Sequence, residues 1–141
     1  MHILIKAVVG LAVMAPGVLA QGAAAQTAAG DDVPVEVSTL AGQQITLHIY
    51  PFLGESDLKT LRLVATNKQA LQLFVTSKGH SAIAVSPDEG FAPEGTPAPS
   101  AVAIGDFSDA ATAASEATKA CDDKRTGEAP CVVILEVGPI P

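Results

Sequence analysis

The chain's two cysteines, Cys121 and Cys131, stand at the seam of two unlike segments. Upstream, Ala110, Ala113, Ala114, Ala117, Ala120 and Cys121 recur at three- and four-residue intervals, the spacing of one helix face. Downstream, CVVILEV (residues 131–137) is a run of β-branched and aliphatic residues that reads as a strand. A charged, glycine-containing loop, DDKRTGEAP, lies between them. A redox centre of the Cys-x-x-Cys type wants its thiol at a helix N-terminus, where the dipole lowers the thiol pKa. Cys121 falls at the opposite end of its helix. A zinc site wants two further ligands, and the histidines show no ligand spacing, so no metal is expected. The remaining reading is a structural disulfide, which turns the helix end back onto the strand.

The N-terminus supplies the compartment for such a bond. MHILIK is a short basic-ended segment, followed by an apolar run over residues 7–20 that closes on Val18-Leu19-Ala20. This pattern predicts a signal peptide over 1–20 with cleavage before Gln21, and a second candidate site before Gln26. The apolar run contains Pro16 and is shorter than the roughly 18–20 residues that span a bilayer, so no stable membrane insertion is expected after cleavage. Small, polar and aperiodic residues over 21–32 read as a tether. Residues 33–141 then suit a single domain, periplasmic or secreted, where a disulfide persists.

Charge narrows the partners. Fifteen acidic residues against eight basic ones give a net charge of −7. The chain becomes more acidic when Lys6 leaves with the leader. Such a surface repels phosphate backbones, and no basic stripe interrupts it, so nucleic acid is not an expected partner. No glycine-rich phosphate loop is present, and no cofactor is expected. Tryptophan is absent and aromatics make up 4% of the chain, which leaves few large anchors for a tight interface.

Local patterns outline the domain. Residues 33–38 and 44–50 read as a hairpin around Gly42, with Ile45, Leu47 and Ile49 inward and Thr46, His48 and Tyr50 outward. That outward row is a candidate binding surface. Ser56 or Asp57 can cap a helix whose Leu58, Leu61, Val64 and Ala65 share a face. Capping-box spacing at 66–69 starts a second short helix with Ala70, Leu71, Phe74 and Val75 inward, a single continuous helix being the alternative. Residues 80–86 form a strand. The proline-rich stretch 87–100 excludes regular structure and reads as an inserted loop, with Phe91 as a candidate contact. Strand 101–105, a helix over 109–121 capped by Asp106 or Ser108, and strand 131–137 make a β-α-β unit. The predicted fold is α+β: one small sheet, hairpin plus β-α-β unit, with helices on one face and one disulfide.

HSAIAVSP (residues 80–87) and the later DAATAASEATKACDDKRTGEAPCVVILEVG resemble a little-characterised family of small exported bacterial domains. Its pattern is an Ala-Ile-Ala strand, an Ala-rich helix ending in Cys, and a Cys-led valine strand. The resemblance covers residues 79–137 and implies no catalytic residue. The chain departs from the pattern where the proline-rich loop stands.

Two functions are compatible with these residues. One is an exported, non-catalytic binding or structural domain whose partner is a protein or envelope component. The other is a small hydrolase with a dispersed site near His80 and Ser81. Gly79-His-Ser81 echoes a nucleophile elbow, but Ser81 begins a strand and Ile83 stands where that turn needs glycine. Asp31-Asp32, Asp88-Glu89 and Asp122-Asp123 lie in loops without the alternating ligands of a calcium site. Asp122-Asp123 instead balances Lys124-Arg125. Protein purified from an oxidising compartment should show no free thiol by mass, and two after reduction. Reduction should cost roughly 3 kcal/mol of stability in the chain-entropy account. Two free thiols in unreduced protein contradict the staple.

Overall fold

Ala41 and Gly42, with φ of 54° and 80°, form the two-residue turn between β1 (Val35–Leu40) and β2 (Gln43–His48). Two positive φ values match the right-handed twist of a hairpin, and Gly42 adopts its angle without steric cost. The structure is a computed structural model that describes residues 33–75 and 78–141. The expected signal peptide and tether, residues 1–32, lie outside the described residues.

Five strands form one antiparallel sheet in the order β1-β2-β5-β3-β4, with β3 at His80–Val85, β4 at Val102–Phe107 and β5 at Val132–Pro139. Three helices accompany it: α1 (Glu55–Thr66), α2 (Lys68–Gln72) and α3 (Ala110–Asp122). The α+β class and the single sheet are therefore present. The β4-α3-β5 segment is a split unit. Both strands pair antiparallel with β3, so they run parallel to each other with β3 between them.

Helices cover both faces of the sheet, which corrects the one-sided arrangement expected from sequence. Along β3, Ile83 and Val85 belong to a core with Leu61, Val64, Leu71 and Phe91, whereas Ala82 and Ala84 join Ala113, Ala117 and Cys121. Successive strand residues face opposite sides, so alternating size creates a thick layer and a thin one. Period-2 reading of the hairpin could not see this, because β3 is apolar on both faces. One extra residue in β5 keeps the layers in phase: Ile83 faces Leu135, but Ala84 faces Val133, leaving Ile134 as a bulge.

Capping also differs from expectation. Gly54 precedes α1 without a side-chain cap, Asn67 caps α2 by accepting from the Ala70 N–H, and Asp109 caps α3 by accepting from the Thr112 N–H. The extended backbone at Asn67 rules out one continuous helix. Arg62 of α1 donates to both oxygens of Glu36 on β1, which holds the Glu36 carboxyl below its ordinary range.

Asp57, a candidate cap, is 5% exposed and turned to the proline-rich loop. Its Oδ1 accepts from the Ala92 N–H at 2.8 Å and its Oδ2 from the Phe91 N–H at 3.4 Å. The loop is thus a strap over the thick layer, with Phe91, Ala92 and Ala98 buried. Phe91, expected as a surface contact, is 1% exposed and packs 5.7 Å from the Phe74 ring. Composition alone suggested an insertion; apolar residues at 91, 92 and 98 give the loop its own inward side. At its other end, Asp88 accepts from the Ala129 N–H at 3.1 Å, and Glu89 from the Thr126 N–H at 3.4 Å.

Cys121 and Cys131 are bonded, with Cα atoms 6.0 Å apart. Asp122 reinforces the staple by accepting from the Cys131 N–H at 2.9 Å and from Arg125 Nε at 2.8 Å. Its balance with Arg125 is a structural tie and not merely a solvated pair. Asp57→Ala leaves two buried N–H groups without their partner. It should cost about 2–4 kcal/mol in denaturant unfolding, whereas Leu63→Ala at an exposed site should stay within about 0.5 kcal/mol. Equal effects would contradict the strap's anchorage.

Candidate functional site

An alanine-lined helix packs close to a sheet but covers little of it. Ala113 and Ala117 seat α3 on Ala82 and Ala84, with Val102 and Ile104 of β4 beside them. The described residues leave the β1–β2 side of the same sheet face uncovered. Register places Val35, Val37, Thr46 and His48 on that face, beside Glu136 of β5. Val35 and Val37 are 51% and 58% exposed. Between this open half and α3 runs a groove of about 520 Å³. Ala114 and Thr118 form one wall, Val133 the floor, and His48, Tyr50 and Glu136 the polar end.

The strand order builds that end. Glu136 pairs with Thr46, and His48 lies one step along β2, so its ring reaches diagonally across the sheet. His48 Nε2 stands 2.8 Å from Glu136 Oε2. A carboxylate only accepts, so Nε2 carries the proton of this bond. Tyr50 extends the row: its ring lies 6.4 Å from that of His48 and stacks on Phe52 at 5.4 Å. Burial first, and the Glu136 charge second, raise the Tyr50 phenol above its ordinary value of 10.0. The hydroxyl therefore stays protonated well into alkaline solution.

Two of the surface residues read from sequence, His48 and Tyr50, line this groove, and Thr46 lies outside its lining, paired across the sheet with Glu136. They are half-buried and not fully solvent-facing, because α3 stands opposite. Glu136 completes the site and was missed. Its signal was present as the single charged residue in an otherwise apolar strand. Phe91 lies in the core of the other layer.

His80 and Ser81 do not form a pair. They are consecutive on β3, so their side chains leave opposite faces. Ser81 is 2% exposed, and its hydroxyl has no hydrogen-bond partner among the described residues. The His80 ring lies against Gly138, where a Cβ would come within 2.6 Å of Nδ1, so a side chain at 138 would have to displace the ring. Among the described residues, no group of three or more His, Cys, Asp or Glu is placed to hold a metal ion, and no helix is long and apolar enough to cross a membrane.

Tyr50 is the only tyrosine in the chain, so phenolate absorbance reports this site alone. Its titration midpoint should lie above 10.0, and Glu136→Gln should lower it without restoring the ordinary value, because burial is the larger cause. The linked stability change has a definite sign. Unfolded chains lose the phenol proton first, so stability falls as pH rises from the ordinary value through the raised folded one. A midpoint unmoved by Glu136→Gln would place the carboxylate away from the ring.

No protein-family model, curated protein or solved structure matches this chain, so the resemblance to small exported domains rests on the residues that carry it.

Proposed function

We propose that this protein is an exported, non-catalytic binding domain that recognises a protein or envelope component through the groove between α3 and the open half of the sheet. The observation that carries the reading is the convergence of His48, Tyr50 and Glu136 on a groove beside α3, where the described residues leave the sheet face open. Export is supported by the leader-like residues 1–20 and by a disulfide that persists in oxidising compartments. The placement of Ser81 in the core, on the face away from His80, favours binding over hydrolysis. Exposed Val35 and Val37 continue the groove rim with apolar surface that a macromolecular partner would cover.

Site-specific photocrosslinking tests this. A photoreactive residue at Ser115 lines the groove, and one at Leu73, 82% exposed at the C-terminal cap of α2, serves as control. Ser115 should give discrete adducts in cells that export the protein, and His48→Ala should diminish them. Identical adduct patterns from Ser115 and Leu73, or none from Ser115, would remove the groove from recognition.

A further inference from the structure

We infer that the groove receives an aliphatic ammonium group, the lysine side chain of a basic segment in the partner. The inference rests on the binding reading above and names the chemistry of the occupant.

The polar end offers acceptors and negative charge. Glu136 uses Oε2 for the bond from His48 Nε2, which leaves Oε1 open. With the proton on Nε2, a neutral His48 ring presents Nδ1 as a lone pair. The Tyr50 hydroxyl oxygen adds a third acceptor. Among the described residues no further hydrogen bond engages Glu136 Oε1, His48 Nδ1 or the Tyr50 hydroxyl. Among the described residues no lysine or arginine lines the groove, so no resident side chain of either type meets the Glu136 charge there. An occupant must therefore bring donors, and a positive charge satisfies them best. An ammonium carries three donors and no acceptor.

The walls suit the stem that carries it. Ala110, Ala114 and Val133 offer an apolar surface along which methylenes can lie while the charged head reaches the polar end. The Tyr50 ring, stacked on Phe52, presents an aromatic surface beside Glu136 at which a cation is favoured.

Openness decides between a free amine and a side chain. Small-molecule sites enclose roughly 70–90% of their ligand. Here the Glu136 side chain is 36% exposed and the rim opens onto Val35 and Val37. A side chain whose parent segment rests on that rim obtains the contacts a free amine would lack. The net charge of −7 favours approach of a basic segment.

The test uses two blocked peptides on the disulfide-bonded chain, one with lysines spaced by glycine and one with norleucine at the same positions. Norleucine keeps the stem and removes the charge. Resonances of the Tyr50 ring and the His48 imidazole report occupancy. The lysine peptide should shift both saturably and bind at least about tenfold more tightly than its norleucine counterpart, the usual span of a charge-assisted bond. Glu136→Gln should erase that ratio, and added salt should reduce it. Equal binding of the two peptides, no shift with either, or a ratio unchanged in Glu136→Gln overturns the ammonium assignment. If that happens while the Ser115 adducts persist, the groove reading stands and only its occupant is wrong. If the adducts are absent too, both fail.

Discussion

The alternation of alanine with branched residues along β3 sets the thickness of both layers. Ala82 and Ala84 let α3 approach the sheet, while Ile83 and Val85 fill the space under α1, α2 and the strap. A larger residue at either alanine would push α3 outward and strain the disulfide at its end, since overpacking a tight layer costs about 1–3 kcal/mol. The thin layer also determines the groove. A helix seated on small residues lies low and narrow, so the neighbouring sheet surface keeps its polar row within reach of the helix wall.

Two covalently distant loops share one set of ties. Asp57 holds the strap from α1, and the strap's own Asp88 and Glu89 accept from Ala129 and Thr126 in the segment between the cysteines. The strap thereby spans from α1 to the segment that the staple closes. Backbone N–H groups in these loops have no ladder to join, and carboxylates satisfy them instead. The acidic composition thus has a structural share: several carboxylates serve as backbone acceptors.

Much of this was legible in residue order. Strict alternation at Ile45, Leu47 and Ile49 located β2, the alanine spacing located α3, and the cysteines linked its end to β5. The same alternation selected Thr46, His48 and Tyr50 before any neighbour was known. Other features were hidden for physical reasons. Helices on two faces cannot be read from a strand that is apolar throughout, and the split unit depends on β3 inserting between β4 and β5. Asp57 looked like a cap because its partners lie 34 and 35 positions away. Phe91 sat in a stretch whose prolines masked an apolar side. Glu136 had no local pattern, since its meaning arises only from the register with β2.

The last strand occupies the middle of the sheet. β5 pairs with β2 on one side and β3 on the other, so residues 132–139 are the bridge between two otherwise separate hairpins. Isolated hairpins are at best marginally stable in water. A chain emerging N-terminus first therefore cannot complete its sheet, its groove or its staple until residues 131–139 are available. Closure of the sheet waits on β5, and the four strands before it remain two hairpins until it arrives.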